Sequence, residues 1–301
     1  MTANVNYGLW YDFRNPAPWQ ENFESFYASR LGQIADAEAM GFNSVWLTEH
    51  HFCDDGYTPS PLVIAAAIAA RTRAMHIGTN LMLLPLHDPV RMAEDAATVS
   101  LLSGGRFDLG VGIGYRQLEF EQFGRQISHR PSLVEEGIEV LRRSWSGKPV
   151  NFSGKRFTVG DLKVLPAPVH TPKILLGGMA PPAIERAARV ADGFLSTGGI
   201  GLDTYCEALL AQGKSLQDGC VILGCWAIIA EDPEAEAKRI GDHVLYQMNE
   251  YIKWGAFGPP DQATLYDDVF KAIENGLYEL WDADMAVAKL QKLVADYPMI
   301  R

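Results

Sequence analysis

The sequence predicts an α/β fold of the (β/α)8 TIM-barrel class, with an insertion after the fourth strand. Segments with strand and helix patterns alternate along nearly all of the 301 residues, and the strand segments are apolar without interruption. Parallel strands buried on both faces have this pattern, and their alternation with helices is typical of α/β folds. No repeat or low-complexity linker divides the chain, so residues 1–301 are predicted to form one domain.

The first half of the chain contains four predicted strands, at residues 6–13, 44–48, 76–84 and 106–112. The helices predicted between them cover residues 23–40, 62–73 and 89–102. Gly41 is predicted to end the first helix, because glycine readily adopts the left-handed conformation that closes a helix. Pro89 opens the third helix, where its missing N–H costs nothing.

The strand–helix rhythm changes between about residues 115 and 172, which are predicted to form the insertion. A polar loop is followed there by a helix pattern at 131–145 and by apolar–polar alternation around Gly154, which predicts a hairpin. Strands resume at 173–176, 193–196 and 221–230, with helices at 182–190, 203–212 and from 233 onward.

Residues 268–297 are predicted to form a single helix, which brings the strand count to seven. An eighth barrel strand would have to lie within residues 299–301. The last strand is therefore either miscounted or absent from the recorded chain.

Composition and charge exclude several classes of partner. The chain has 26 Lys and Arg against 37 Asp and Glu, a net charge of −11, and no basic block, so nucleic acid is not expected as a partner. The longest apolar run, 63–70, is too short to cross a bilayer, and the first residues lack a leader pattern, so a cytoplasmic protein without a membrane partner is expected. Four cysteines without CxxC spacing predict free thiols and no metal site.

Glu49, His50 and His51 directly follow a predicted strand, at the end where barrel enzymes carry their catalytic groups. Histidine titrates near neutral pH and serves in proton transfer. Neighbouring side chains face opposite ways at a strand end, so only one of the two histidines is expected in the pocket. The alternative is a pair of structural histidines. His87 and His129, in polar loops, are expected to be structural or solvent-facing.

Two glycine-containing segments also follow strands. In GVGIGYR, residues 110–116, the third glycine comes one residue too early for a dinucleotide fingerprint. Gly114 nevertheless permits close approach of a flat ligand, which Tyr115 is placed to cover. Gly177 and Gly178 precede a helix whose N–H groups and positive dipole end predict an anion site. Both segments also fit ordinary tight turns.

The EHHF segment, the stretch from 77 to 116 and the GG…IERAA…ADG pattern over 177–193 together resemble the bacterial luciferase-like flavin monooxygenases. The order and spacing of these motifs match the family over about residues 6–199. The resemblance implies a barrel with an insertion after the fourth strand.

The resemblance also implies an activity: reduced FMN, supplied by a separate flavin reductase, reacts with dioxygen and a small organic substrate. A second branch of the family uses a deazaflavin coenzyme for hydride transfer, and some relatives bind flavin without catalysis. A homodimer or higher homo-oligomer is expected, because such barrels commonly pair through outer helices. The aromatic residues expected in the pocket, which favour an apolar substrate, are Trp10, Tyr11, Phe13 and Tyr115.

Carried over residue by residue, the resemblance assigns the catalytic role to His50. A non-proline cis peptide beside the flavin maps onto Asn80–Leu81. A glycosidase on the same barrel would instead need a second acid opposite Glu49, and only Asp12 is available.

The cofactor phosphate maps onto the Gly177–Gly178 turn and the backbone of Gly178, Met179 and Ala180. Ile113 stands where luciferases carry an arginine near that phosphate. The anchoring charge must therefore come from elsewhere or be replaced by backbone donors.

Overall fold

The computed structural model describes residues 6–301 and confirms the barrel class. Its strands are β1 (Gly8–Tyr11), β2 (Ser44–Leu47), β3 (His76–Thr79), β4 (Met82–Leu83), β5 (Phe107–Gly112), β6 (Val150–Ser153), β7 (Thr158–Leu162), β8 (Ile174–Gly177), β9 (Gly193–Thr197), β10 (Val221–Gly224), β11 (Ala227–Ile229) and β12 (Glu279–Trp281). Seven of them pair in the order β1-β2-β3-β5-β8-β9-β10, all parallel, and β4 adds to β5. They form a nearly closed barrel.

The helices pack around this barrel. They are α1 (Phe23–Ala39), α2 (Pro61–Arg71), α3 (Pro89–Ser103), α4 (Gln117–Gln122), α5 (Arg130–Trp145), α6 (Pro181–Val190), α7 (Leu202–Ala211), α8 (Pro233–Trp254), α9 (Val269–Glu274) and α10 (Ala283–Asp296). Asn22 and Asp88 cap α1 and α3 by accepting backbone N–H bonds. Among residues 6–301, no helix is both long and apolar enough to span a membrane.

Two predicted strands are each divided in the structure. The segment 76–84 becomes β3 and β4, separated by a cis peptide between Asn80 and Leu81. The segment 221–230 becomes β10 and β11, because the chain leaves the barrel wall at Cys225–Trp226 and β11 pairs with β12 instead. Continuous apolar sequence does not reveal such interruptions, since both halves of each segment bury apolar residues.

The prediction of one helix over 268–297 is wrong. After α9 the chain turns at Gly276, whose φ of 75° suits glycine, and β12 then pairs in parallel with β11. Asp282 caps the start of α10 by accepting a bond from the Met285 N–H. The pairing with β11 overrides the helical pattern that the surrounding residues share.

The eighth position of the barrel is occupied by a single bridge. Ile300 pairs in parallel with Val221. The Val221 N–H donates to the Met299 carbonyl at 2.9 Å, and the Arg301 N–H donates to the Val221 carbonyl at 3.1 Å. Residues 299–301 thus lie where the sequence requires an eighth strand.

The segment from 115 to 172 contains α4, α5 and the predicted hairpin, which is formed by β6 and β7. The inner face of α5, with Val134, Ile138 and Leu141, belongs to the main hydrophobic core. α5 therefore packs as a barrel helix, with α4 before it and the hairpin after it.

Glycines make room inside the barrel for two large side chains. A Cβ on Gly78 would lie 2.1 Å from the Trp46 indole. A Cβ on Gly112 or Gly177 would lie 2.6 or 2.5 Å from the Leu81 side chain. Leu81 can occupy the mouth of the barrel only because these neighbours lack side chains.

Candidate active site

A cavity of about 1590 Å³ opens at the carboxyl ends of the barrel strands. It reaches through the barrel toward the amino ends, where His76, Asp108 and Lys173 line it. The catalytic and cofactor-binding residues predicted from the sequence all line this cavity: His50, Asn80, Leu81, Gly114, Tyr115, Gly177, Gly178, Met179 and Ala180. Tertiary structure therefore brings together residues that are far apart along the chain.

His50 is buried and is held at both ring nitrogens. Its Nδ1 lies 2.8 Å from Glu119 Oε1, and its Nε2 lies 3.2 Å from the Tyr115 hydroxyl. Because a carboxylate only accepts, Nδ1 carries the proton and Nε2 of the neutral ring accepts from Tyr115. Burial raises the pKa of Tyr115 well above its usual range, so its hydroxyl stays protonated. The result is a Tyr115–His50–Glu119 hydrogen-bonded chain.

Glu119, on α4, is a site residue that the sequence reasoning missed. Its side chain is fully buried, and Oε1 also accepts the His51 backbone N–H at 2.9 Å. Oε2 has no hydrogen-bond partner within residues 6–301. A glutamate on a short helix in an insertion carries no local signal of burial, so only its tertiary contact with His50 identifies it.

His51 faces away from the cavity, as strand alternation predicts, and joins a second network. Glu49 Oε1 lies 3.1 Å from His51 Nε2 and 2.8 Å from His87 Nε2, while Oε2 accepts the Leu83 N–H. This network fixes the loop after β2 against β4. His87 is thus structural, one of the two roles expected for it.

Electrostatics within this network stabilise charge on Glu49. Burial raises the pKa of Glu49, but the charge of His87 and the hydrogen bonds from His51 and His87 outweigh it and lower the pKa to about 2. Burial lowers the pKa of His87, but the Glu49 carboxylate more than compensates and raises it.

The side chains of Glu49, His51 and His87 offer ligand atoms within 4.8 Å of one another, a donor set that suits zinc-type metals. Protein donors already satisfy both Glu49 oxygens.

The Asn80–Leu81 peptide is cis, as the resemblance implies. The Asn80 carbonyl accepts a hydrogen bond from Trp10 Nε1 at 3.0 Å, and the Leu81 side chain projects over the glycines of β5 and β8. Because the neighbouring glycines have no side chains, this part of the rim is a flat apolar surface on which a planar ring system can rest.

The Gly178–Ala180 turn offers unused backbone donors. In the described part of the chain, nothing accepts from the N–H groups of Gly178, Met179 or Ala180. α6 then begins with Pro181 and Pro182, which have no N–H, so the donors of this terminus lie in the turn itself. With the positive end of the helix dipole, they form a surface suited to an anion.

Arg130, at the start of α5, supplies a positive charge on the same rim and was not foreseen from the sequence. It is half-buried, lines the cavity and donates from Nη1 to the Gly114 carbonyl at 3.0 Å. No carboxylate between residues 6 and 301 forms a salt bridge with it. Its charge stands near Ile113, where the family's arginine is missing.

Aromatic rings surround His50 on its remaining sides. The ring centroids of Tyr57, Tyr115, Tyr251 and Trp254 lie 4.9, 5.5, 6.3 and 4.9 Å from that of His50. Two of these rings come from α8, a helix that the sequence did not connect with the site.

Of the four aromatic residues expected in the pocket, Trp10 and Tyr115 line it. The expectation is wrong for Tyr11 and Phe13, whose rings pack in the main core between barrel and helices. Asp12, the acid considered opposite Glu49, is bound instead to Arg14 at 3.2 Å and to Gln247 at 3.0 Å.

Comparisons with known proteins agree with this architecture. The F420-dependent glucose-6-phosphate dehydrogenase of Amycolatopsis mediterranei is 32% identical over 185 residues, which are 59% of this chain and 56% of that protein. The chain thus aligns with little more than half of that relative's length.

Two solved structures share the fold. The oxygenating constituent of 3,6-diketocamphane monooxygenase from Pseudomonas putida, in complex with FMN, has a TM-score of 0.74 at 20% identity and covers 97% of this chain and 89% of its own. An F420-dependent secondary alcohol dehydrogenase has a TM-score of 0.71 at 17% identity and covers 99% of both chains.

Both FMN-dependent and F420-dependent oxidoreductases thus share this barrel. The sequence profile described as Luciferase-like monooxygenase matches residues 13–286, nearly the whole chain. This protein is a member of the luciferase-like monooxygenase family.

Proposed function

We propose that this protein is a monooxygenase that uses reduced FMN and dioxygen to oxidise a small organic molecule. The observation that carries the proposal is the Tyr115–His50–Glu119 chain, which faces a cavity whose rim also offers an anion site and a flat apolar surface. An anionic cofactor with a planar ring system needs the anion site and the flat apolar surface. Proton transfer beside the ring needs the Tyr115–His50–Glu119 chain.

The residues present fit FMN. The phosphate would be held by the unused N–H groups of the Gly178–Ala180 turn and by Arg130, whose guanidinium has no carboxylate partner. The ring system would rest on the surface around Leu81, between Gly114 and Gly177. Bound reduced FMN supplies the electrons for oxygen activation, and a separate flavin reductase is part of this proposal, since GVGIGYR does not fit a dinucleotide fingerprint.

The protein's own contribution is proton management in a sheltered pocket. Glu119 keeps His50 protonated at Nδ1 and stabilises the imidazolium that forms when Nε2 takes a proton. Tyr115 connects Nε2 with the cavity and passes the proton. Base catalysis of this kind contributes about 10²–10⁴ in rate.

The alternative cofactor is F420, a deazaflavin used for hydride transfer. The sequence similarity to F420-dependent glucose-6-phosphate dehydrogenase favours it. The same rim geometry would hold a deazaflavin ring, so cofactor choice is decided by experiment.

Anaerobic titration with reduced FMN and with reduced F420 compares the two cofactors directly. We expect reduced FMN to bind. When ¹⁸O₂ and an organic acceptor are then added, we expect oxygen uptake and incorporation of the label into the acceptor. Binding of F420 with hydride exchange, together with failure to bind FMN, would replace the proposal by the alternative. Binding of either cofactor without turnover of any acceptor, together with unchanged cofactor binding in His50→Ala, would indicate a non-catalytic flavin-binding protein.

A further inference from the structure

A continuous row of aromatic rings extends from His50 along one side of the cavity. Tyr251 lies 6.3 Å from His50 between ring centroids, Trp226 lies 5.7 Å from Tyr251, and Tyr278 lies 5.3 Å from Trp226. All three line the cavity, and we call them the aromatic wall.

The aromatic wall and the predicted cofactor surface come from different parts of the rim. The cofactor surface follows β3, β5 and β8, whereas the wall comes from the connection after β10, from α8 and from the segment before β12. The cavity, at about 1590 Å³, exceeds the roughly 300–1,000 Å³ usual for one small ligand, and this volume includes the part that extends toward the amino ends of the strands. The wall and the cofactor surface are separate parts of this one cavity.

Hydrogen bonds hold the two tyrosines of the wall in place from behind. The Tyr251 and Tyr57 hydroxyls lie 2.8 Å apart, and the Tyr278 hydroxyl donates to Gln247 Oε1 at 2.5 Å. Gln247 is itself held by Asp12, through Nε2 and Oδ2 at 3.0 Å. A surface fixed in this way loses little conformational freedom when it binds a rigid, flat partner.

The wall is also uncharged. Burial raises the pKa of both Tyr251 and Tyr278 above the usual range of a phenol, so their hydroxyls stay neutral. The Lys and Arg side chains that line the cavity are Arg130, Lys173 and Arg301. Arg130 is bonded to Gly114, Lys173 precedes β8, and Arg301 is bonded to Gly219 ahead of β10.

None of these cations belongs to the wall. Arg14 packs on the Tyr251 ring, with its guanidinium carbon 5.1 Å from the ring centroid, but it does not line the cavity and it is paired with Asp12 and Asp55. Lys173 and Arg301 lie at the amino ends of the strands, and Arg130 lies on the proposed phosphate side. A sugar phosphate placed beside His50 and the wall would therefore lack a charged partner, although a relative of this chain acts on glucose 6-phosphate.

We propose that the aromatic wall binds an uncharged, planar aromatic substrate, with one face of the substrate against Trp226 and its reacting edge toward His50 and the cofactor. This inference rests on the proposed function for the nature of the reaction, but the binding itself does not require a cofactor. Stacking on aromatic rings selects flat molecules over flexible chains of equal hydrophobicity.

The test is calorimetric titration of the full chain with 2-naphthol, with the aliphatic aldehyde decanal and with glucose 6-phosphate, each with and without excess FMN. We expect 2-naphthol to bind at least tenfold more tightly than the other two, whether or not FMN is present. Tighter binding of decanal or of glucose 6-phosphate would overturn the proposal. Displacement of 2-naphthol by FMN would also overturn it, because the probe would then occupy the cofactor surface.

Variants locate the probe. Trp226→Leu is expected to weaken 2-naphthol binding about tenfold, whereas Trp226→Phe, which retains a ring, should restore most of it. Trp19→Leu is the matched control, since Trp19 packs on His243 outside the cavity. If Trp226→Leu does not fold, Tyr278→Leu takes its place. Unchanged 2-naphthol affinity in a folded wall variant would refute the assignment.

The test of cofactor binding and the test of the aromatic site can fail independently of each other. If FMN fails to bind but 2-naphthol binding still depends on Trp226, the proposed monooxygenase function fails and the aromatic site stands. If FMN binds and turns over while 2-naphthol does not bind, the proposal of an aromatic site fails and the monooxygenase function stands.

Discussion

Replacing Glu119 by glutamine tests the role of the Tyr115–His50–Glu119 chain. Glu119→Gln keeps the shape of the side chain but removes its charge. The amide oxygen can take the place of Oε1 and accept from His50 Nδ1 and from the His51 N–H, so the tautomer is kept. The substitution thus removes the charge that stabilises an imidazolium and leaves the tautomer that Tyr115 requires.

The expected magnitude follows from the charge that is lost. Glu119 Oε1 accepts from His50 at 2.8 Å and from the His51 N–H at 2.9 Å, and a hydrogen bond to a charged group contributes about 1–1.5 kcal/mol more than a neutral one. For the bond to His50 alone this corresponds to a decrease in rate of about 5- to 10-fold, at 1.36 kcal/mol per decade. His50→Ala should cost more, about 10²–10⁴.

The assay is the steady-state kcat with reduced FMN and dioxygen, with cofactor affinity measured separately. Glu121→Gln is the matched control, because Glu121 lies two residues away on the same helix and is exposed. If the two residues act as a unit, adding Glu119→Gln to His50→Ala should cause little further loss. A kcat within twofold of the unmodified protein, or a fully additive double variant, would refute this reasoning.

Three further predictions concern cofactor affinity, packing and pH dependence. Arg130→Ala should weaken FMN binding by about 10- to 100-fold and leave riboflavin binding unchanged, since only FMN carries the phosphate; equal losses for both in parallel titrations would exclude a phosphate contact. Gly78→Ala should lower the free energy of unfolding by about 1–3 kcal/mol in urea titrations, because its methyl group would overlap Trp46, whereas Gly160→Ala, with open space around it, should change it by less than about 0.5 kcal/mol. Because the folded-state pKa of Glu49 is depressed from 4.5 to about 2, the stability it contributes is present above the unfolded-state pKa and is lost as pH falls through that interval. Glu49→Gln should therefore lower the free energy of unfolding by about 3 kcal/mol at pH 7 and by much less near pH 2, and a pH-independent difference would contradict the assigned charge.

Much of the fold was predictable because its signals are local. Each barrel strand is a short apolar run followed by a helix pattern, and residues such as Gly41 and Pro89 mark helix ends within a few positions. The segment 268–297 shows where local pattern fails: β12 is a strand only because β11 lies beside it. Likewise, Tyr11 ends β1 and Phe13 lies beyond it with a φ of 54°, and the direction of both rings toward the core depends on barrel closure.

The rim residues were predictable for a related reason, because the carboxyl ends of parallel strands meet at one edge of the sheet. Any polar or glycine-containing segment directly after a strand is therefore a candidate for the same site. Arg130 and the rings of α8 do not follow strands, and nothing in their own surroundings marks them as cavity residues.

The sequence by itself determined the barrel class, the order of its elements and the position of His50 at the rim, since each depends on residues close together along the chain. Only the tertiary structure decided the partners of His50. Glu119 and Tyr115 lie 69 and 65 residues away from it, and their contacts arise from how α4 and the loop after β5 fold back over β2. Local periodicity determines which apolar residues are buried, but long-range packing determines which residues meet.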